Sequence, residues 1–279
     1  KYLDLYDNDI KVVTDFFNID NYLSVASQKA KIVTSISMFY DLEEPVKFAQ
    51  EVASILDVKG VWVFEQSYLP AMLRQNSYDT ICHEHLEYYS LNAIEYIMKQ
   101  AGLTIIDASQ NEVNGGSIRL AAVRLDSPSS SNVSPEAISL MEQEKNHNIH
   151  SIATFRSFQE NAERQKTDLI KLLHELKKAG KTVVGYGAST KGNVILQYCG
   201  ISTDLLSCIG DITPFKDGTY TPGTKIPIVS MEKAKAMKPD YFLVLPWGFR
   251  NDILLREKEG VLNQGSKMIF PLPFVEIVS

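Results

Sequence analysis

Residues 182–192 of this chain read Thr-Val-Val-Gly-Tyr-Gly-Ala-Ser-Thr-Lys-Gly, an apolar strand that runs into a glycine-rich turn. Residues 193–198 then have helical character. Backbone N–H groups in such a turn point at a phosphate, and the helix dipole and Lys191 favour the same anion. The spacing G-x-G-x-x-x-x-G is neither a dinucleotide fingerprint nor a Walker loop. The turn therefore predicts either a phosphate site or a tight turn whose glycines serve packing.

Strands and helices alternate on both sides of this turn. The strands predicted from apolar runs are 11–14, 31–36, 61–65, 103–107, 118–123, 205–211, 241–245 and 268–270. Helices are predicted at 44–56 and 91–101, and one long helix runs from about 135 to 179. This order predicts a doubly wound α/β fold with an antiparallel edge. We expect one α/β domain over 1–126, a linker and long helix over 127–180, and a second α/β domain over 181–279.

The composition limits the classes of partner. The chain has 279 residues and a net charge of -6, with no basic stripe, so we expect no nucleic acid partner. No apolar run is long enough to span a bilayer, so we expect no membrane partner. The three cysteines lack the spacing of a disulfide framework, which favours a reducing, cytoplasmic location. The oligomeric state stays open.

Residues 81–89 concentrate titratable groups. They read Ile-Cys-His-Glu-His-Leu-Glu-Tyr-Tyr and contain two of the five histidines. His83 and His85 are two apart, whereas a zinc helix of the H-E-x-x-H type needs histidines four apart. A metal pair would need a third protein ligand, and a surface turn without function is also open. We favour proton transfer and expect no metal here.

Ends of other predicted strands carry further candidates. Asp15 and Phe16 follow strand 11–14 and would meet the amino group and the face of an adenine. Trp247 follows strand 241–245 and would either stack on a base or pack in the core. Asp211 ends strand 205–211, where a dinucleotide fold has its ribose-binding acid.

Residues 79–91 resemble the signature of the S-adenosylmethionine-dependent sugar C-methyltransferases, which act on nucleotide-linked keto-deoxysugars. Further matches follow in the same order at 15–17, 114–119, 185–192 and 220–227, so the resemblance covers nearly the whole chain. It implies a partial class I methyltransferase (Rossmann-like) domain and a C-terminal Rossmann-like α/β domain that holds the nucleotide sugar. It also implies that the chain begins inside the methyltransferase domain. We therefore expect zinc only in an N-terminal domain upstream, and an incomplete S-adenosylmethionine site in this fragment.

The resemblance also implies the site residues. His85 is the expected base and Glu84 orients it or shares its proton. His83 belongs to the same catalytic set, and Tyr40 stands in a loop where relatives often carry a histidine. The residues expected to bind the cofactor are Asp15, Phe16, Ser35, Ser37 and Met38. Those expected to bind the nucleotide sugar are Tyr88, Asn114, Gly115, Gly185, Gly187, Ala188, Ser189, Lys191, Tyr220 and Trp247.

The expected reaction is methylation of a carbon next to a ketone in a nucleotide-diphosphate-linked sugar, through general-base enolisation. Two alternatives stay open. One is an NAD(P)-dependent oxidoreductase built on the C-terminal domain, and the other is a non-catalytic fragment that binds a nucleotide sugar.

Overall fold

A computed structural model describes residues 9–279 of the chain, in which helices and strands alternate. The strands of these residues are β1 (Ala30–Ile36), β2 (Leu56–Ser67), β3 (Leu103–Asn111), β4 (Ser117–Arg124), β5 (Val183–Tyr186), β6 (Ile209–Asp211), β7 (Ile228–Ser230), β8 (Tyr241–Val244), β9 (Lys267–Phe270) and β10 (Glu276–Val278). The helices are α1 (Ile19–Val25), α2 (Pro45–Ile55), α3 (Leu69–Arg74), α4 (Leu91–Gln100), α5 (Pro135–Asn146), α6 (Ile152–Lys178), α7 (Thr190–Cys199), α8 (Met231–Ala236) and α9 (Arg250–Glu257). None of these helices is both long and apolar enough to cross a bilayer.

The chain forms two compact units, each assembled from separate segments. The first contains the described residues up to Tyr68, together with Leu86–Asn111 and Ser117–His147. The second contains Leu69–His85, Glu112–Gly116 and Asn148–Ser279. The predicted domain limits at 126 and 180 divide the chain into continuous segments instead, and they stay a prediction.

The first unit is built on a four-stranded sheet in the order β1-β2-β4-β3. β1 and β2 are parallel, and β4 is antiparallel to both β2 and β3. Alternate residues of β2 point into the core, where Trp62 and Phe64 are fully buried and their rings stack at 4.4 Å. The antiparallel edge predicted from the sequence is therefore present, because β3 and β4 form the expected pair.

A buried carboxylate from α5 holds the beginning of α4 in this unit. Glu144 is 3% exposed. It accepts hydrogen bonds from the N–H groups of Leu91 (2.6 Å) and Asn92 (2.9 Å), and from the Tyr68 hydroxyl (2.8 Å). These N–H groups belong to the first turn of α4, where the helix has no internal acceptors for them. Glu144 thus fixes the backbone that follows the tract 81–89.

Two predicted elements are wrong. Residues 11–14 form no strand, because Val12 and Val13 are 40% and 37% exposed and pair with no described strand. The long helix predicted from 135 to 179 is two helices, α5 and α6. Asn148 adopts a left-handed φ of 48° between them, and the Ser151 side chain caps α6 by accepting from the Thr154 N–H.

The second unit is built on a six-stranded sheet in the order β10-β9-β8-β5-β6-β7. All neighbouring strands are parallel except β10, which is antiparallel to β9. Tyr78 joins the core of this unit from the first half of the sequence, and its hydroxyl donates to the Gln165 side chain at 2.6 Å. The parallel order brings the turns after β5 and β8 to the same edge, which is where open α/β sheets bind ligands.

Candidate active site

The glycine-rich turn after β5 is explained by close packing. A Cβ on Gly185 would lie 2.6 Å from the side chain of Ile209, and one on Gly192 would lie 2.7 Å from Leu245. Gly187 has a φ of +80°, and a Cβ on it would lie 2.8 Å from the Pro246 ring. The packing alternative therefore accounts for all three glycines.

Asp211 forms a hydrogen bond with the backbone of the same turn. Its carboxylate accepts from the Ala188 N–H at 2.7 Å and from the Thr213 N–H at 2.8 Å, and Lys216 lies 3.4 Å away. Burial raises the pKa of this carboxyl, but these N–H groups and the lysine outweigh burial and hold it below its usual value. The Ala188 N–H, which could otherwise bind a phosphate, thus already donates to Asp211. Asp211, which could otherwise bind a ribose, already accepts hydrogen bonds from within the chain.

A buried acid lies beside this turn. Asp79, in the short 3-10 helix Tyr78–Thr80, is 1% exposed. Its Oδ2 accepts a 2.7 Å hydrogen bond from the indole N–H of Trp247, whereas Oδ1 has no hydrogen-bond partner among residues 9–279. Burial raises the pKa of Asp79 to about 6, against the lowering effects of Lys191, of the Trp247 bond and of the backbone N–H groups of Asp79 and Thr80.

Lys191 connects this acid electrostatically with the predicted base. Burial lowers the pKa of Lys191, while the charges of Asp79 and Cys82 raise it. The half-buried ring of His85 has a lowered pKa, first because of burial and then because of the charge of Lys191. A hydrogen bond to the Thr80 backbone and the charge of Glu84 oppose this shift. His85 is therefore neutral at physiological pH and able to accept a proton.

Asp79 and Lys191 line a pocket of about 170 Å³ at the carboxyl ends of β5 and β8. The complete lining is Asp79, Ser189, Thr190, Lys191, Leu245, Pro246, Trp247, Gly248 and Phe249. A few polar groups among apolar and aromatic walls are typical of small-molecule sites. The pocket offers a carboxylate, an ammonium group and aromatic faces to a ligand.

The structure brings some predicted residues together in the second unit. Lys191, Ser189 and Trp247 line the pocket, and His85 interacts with Lys191. Gly115 has a φ of +85° and lies so close to the Trp247 ring that a Cβ would be 3.2 Å from it. Asn114 belongs to the 3-10 helix Val113–Gly115, and its side chain lies outside what the structure describes.

Other predicted residues are elsewhere or exposed. His83 and Glu84 are exposed in a turn, and Tyr220 is 65% exposed in a loop outside the pocket lining. In the first unit Tyr40 is buried, and its carbonyl accepts from the N–H groups of Leu86 and Glu87 at 3.0 and 3.1 Å. Tyr88 and Met38 are half-buried there. The Ser35 hydroxyl accepts from the Trp62 indole at 3.0 Å.

Sequence reasoning missed Asp79 as a site residue. It precedes the tract 81–89 by two positions and stands between Tyr78 and Thr80, which are also buried. The available signal in the sequence was an acid next to Tyr78, just before the tract 81–89. The structure shows that this acid is buried, as acids rarely are unless paired.

Part of the first unit suits the adenosine of S-adenosylmethionine. Phe16 is 89% exposed, so its ring face is open to a base, and Asp15 beside it is an exposed carboxylate that can accept from an amino group. Ser37 follows the carboxyl end of β1 with a left-handed φ of 54°, and its N–H donates to the Glu65 carbonyl at 2.7 Å. Asp15 and Phe16 thus fit the adenosine part of the cofactor. Within residues 9–279, no group of three or more His, Cys, Asp or Glu side chains is arranged to hold a metal ion.

Comparisons with known proteins agree with this architecture. Residues 112–273 match a family described as C-methyltransferase C-terminal domain, and residues 3–108 match one described as Methyltransferase domain. The predicted α/β methyltransferase fold is thereby confirmed. The C-methyltransferase NovU from Streptomyces niveus is 32% identical over 250 residues, which cover 90% of this chain. The chain spans 59% of the length of that relative.

Solved structures show more distant similarity. The magnesium protoporphyrin IX methyltransferase ChlM from Synechocystis PCC 6803, with bound SAH, is 16% identical with a TM-score of 0.28. That match covers 37% of this chain and 48% of ChlM. A structure titled "A Pericyclic Reaction enzyme" is 14% identical with a TM-score of 0.31, and the match covers 35% of this chain and 27% of that one.

Proposed function

This chain belongs to the C-methyltransferase family, and we propose that its protein methylates a carbon next to a ketone in a nucleotide-diphosphate-linked sugar, with S-adenosylmethionine as the methyl donor. The observation that carries the proposal is the half-buried His85 in the tract 81–89, where burial and the charge of Lys191 lower its pKa. The similarity to NovU, itself a C-methyltransferase, supports the reaction class. The nucleotide sugar as substrate follows from the sequence resemblance.

His85 acts as the general base. Its neutral imidazole takes the proton from the α-carbon, and the C–H electron pair moves into the enolate. The ammonium group of Lys191 stabilises the charge that develops on the enolate oxygen. Glu84 stabilises the imidazolium that forms, since its charge raises the pKa of His85. General-base catalysis of this kind contributes about 10²–10⁴-fold in rate.

The cofactor supplies the methyl group as an electrophile bonded to a positively charged sulfur. Phe16 would stack on its adenine, and Asp15 would accept a hydrogen bond from the adenine amino group. His83 and Tyr40 belong to the proposed catalytic set as secondary candidates: His83 is exposed beside Glu84, and Tyr40 is buried beneath the backbone of residues 86–87.

Solvent-exchange kinetics of the full-length protein test the assigned roles. The keto sugar nucleotide is incubated in D₂O, and deuterium incorporation at the α-carbon is followed by NMR. We expect exchange in the wild type, a loss of 10²-fold or more in His85→Ala, and a smaller loss in Glu84→Gln. His174→Ala is the matched control, since His174 is exposed on α6.

Exchange that is unchanged in both variants would remove His85 and Glu84 from the mechanism. Binding of the nucleotide sugar without exchange or methyl transfer would instead favour the non-catalytic alternative.

A further inference from the structure

Asp79 is a buried acid of the second unit that has no part in the proposed mechanism. Its side chain is 1% exposed. The hydrogen bond that its Oδ2 accepts comes from the indole of Trp247, which is neutral and does not balance a charge. Buried charges in proteins are paired with opposite charges. The carboxylate of Asp79 therefore calls for a cation from a neighbouring element.

Lys191 is in the right place to supply this opposite charge. Within the described part of the chain, Asp79 is the only acid and Lys191 the only base that line the pocket of about 170 Å³. The 3-10 helix Tyr78–Thr80, which carries Asp79, packs against α7, which carries Lys191. The ring centroids of Tyr78 and Tyr198 are 4.9 Å apart at this contact. The acid and the base thus belong to two packed elements of one unit.

Lys191 lies at the end of α7 that least suits a cation. Ser189 caps this helix by accepting from the Gly192 N–H, so Lys191 belongs to the first turn. The N-terminus of a helix carries a partial positive charge and disfavours an ammonium group. Lys191 is also half-buried, and burial favours the neutral amine. An ammonium group at this position therefore depends on a negative charge nearby.

We propose that Asp79 is a positioning residue for the reaction, whose carboxylate is the counter-ion that keeps Lys191 protonated. The inference rests on the proposed function, in which this ammonium group stabilises the enolate. Asp79 acts through Lys191 and not on the substrate, since its Oδ1 is buried. The Trp247 N–H fixes the carboxylate by holding the other oxygen.

The charges around Lys191 agree with this role. Burial lowers the pKa of Lys191, and the charge of Asp79 opposes burial more than that of Cys82 does. His85 also faces Lys191, but an imidazole is neutral or positive and cannot be a counter-ion. Burial raises the pKa of Asp79 to about 6, so the carboxylate is ionised at neutral pH.

Lysine NMR of the full-length protein tests the counter-ion without any substrate. The Cε resonance of Lys191, identified by its loss in Lys191→Arg, is followed through an alkaline titration of the isotope-labelled protein. We expect its midpoint to lie at lower pH in Asp79→Asn than in the wild type, because the amide carries no charge. Asp79→Asn is nearly isosteric, and its amide oxygen can still accept from Trp247.

Glu257→Gln is the matched control. Glu257 is a 2% exposed acid of the same unit that forms an ion pair with a different lysine, Lys235, and does not line the pocket. In this variant the midpoint of Lys191 should stay at its wild-type value.

The pH profile of α-carbon exchange separates this role from a merely structural one. Asp79→Asn should lose its ammonium group at lower pH, so its rate on the alkaline side should fall about threefold or more relative to its own maximum. A structural defect would lower the rate by the same factor at every pH. In a Lys191→Arg background, where the guanidinium stays charged, Asp79→Asn should leave the alkaline side unchanged.

A second measurement keeps Asp79, should Asp79→Asn fail to fold. The Lys191 resonance should show a smaller step near pH 6, where Asp79 titrates, and the step should persist in His85→Gln. The counter-ion is overturned if the Lys191 midpoint is the same in the wild type and Asp79→Asn, or if no such step is seen. Failure of the proposed function reads out differently, as absent α-carbon exchange in the wild type while the Lys191 midpoint still depends on Asp79.

Discussion

The indole N–H of Trp247 donates a 2.7 Å hydrogen bond to the carboxylate of Asp79, although the two residues are 168 positions apart. This bond joins the loop after β8 to the 3-10 helix before the tract 81–89. It holds the carboxylate of Asp79 against Trp247 in the wall of the pocket. The position of this carboxylate therefore depends on two segments that are remote in sequence.

The energy of this bond can be isolated by a double-mutant cycle. Trp247→Phe removes the donor and keeps an aromatic ring, so we expect the free energy of unfolding to fall by about 2–3 kcal/mol, because the acceptor is a charged group. In an Asp79→Asn background the same change should cost less, since the acceptor is then neutral. Urea unfolding of the four proteins gives the coupling free energy. Additive effects in the two backgrounds would contradict the bond's importance.

Asp79 should make stability depend on pH in an unusual direction. Its pKa is about 6 in the folded protein, against 3.8 ordinarily. The folded state therefore binds more protons than the unfolded state between these values, and stability falls as pH rises from about 4 to 6. The loss amounts to about 3 kcal/mol at about 1.4 kcal/mol per unit.

The measurement is urea unfolding of the wild type and Asp79→Asn between pH 4 and 7. Lys191, Cys82 and His85 face the same region and are present in both proteins, so the difference between the two curves reports on Asp79. A difference that is constant over this range would show that the pKa of Asp79 is not raised.

NADH should not bind at the glycine-rich turn. The Ala188 N–H already donates a hydrogen bond to Asp211, and the glycines of the turn are packed against Ile209, Pro246 and Leu245. A fluorescence titration should therefore give no saturable binding at micromolar NADH. Tight binding that Asp211→Asn abolishes would restore the oxidoreductase alternative. On the structure described here, Asp211→Asn should instead lower the free energy of unfolding by about 1–3 kcal/mol.

Glu144 should stabilise the first unit through α4. Glu144→Gln replaces one acceptor oxygen by an amide that faces the N–H groups of Leu91 and Asn92, and we expect a loss of about 2–3 kcal/mol. Tyr68→Phe removes the hydroxyl that donates to Glu144 and should cost less, about 1.5 kcal/mol, because both helix N–H bonds stay. Urea unfolding compares the two, and equal losses would mean that the helix N–H bonds contribute little.

The sequence predicted most of the regular structure because apolar runs and glycine stops are local signals. The strands at 31–36, 61–65 and 241–245 are present, and so is the hairpin formed by β3 and β4. The strand expected at 11–14 is not formed, because no strand within residues 9–279 pairs with its valines. β propensity alone does not make a strand without a partner.

The site was less accessible to sequence reasoning. The tract around His85 was recognised by its density of titratable groups. Tertiary packing decides which of its members are exposed and which are buried, and residue spacing does not reveal this packing. Asp79 became a candidate only because Trp247 and Lys191 approach it from the other half of the chain. The glycines after β5 had two interpretations, and only the positions of Ile209, Pro246 and Leu245 distinguished them.

The interleaving of the two units has a consequence for how the protein is made. Residues 69–85 leave the ribosome long before β5, β8 and β9, the strands with which they share a unit. The second unit can therefore complete its core only near the end of synthesis. Until then, Tyr78 and Asp79 of the segment already made stay exposed to solvent. A gene fragment that starts at residue 148 or 181 would encode the larger sheet without this segment, and we expect its product to need residues 69–85 supplied as a separate peptide.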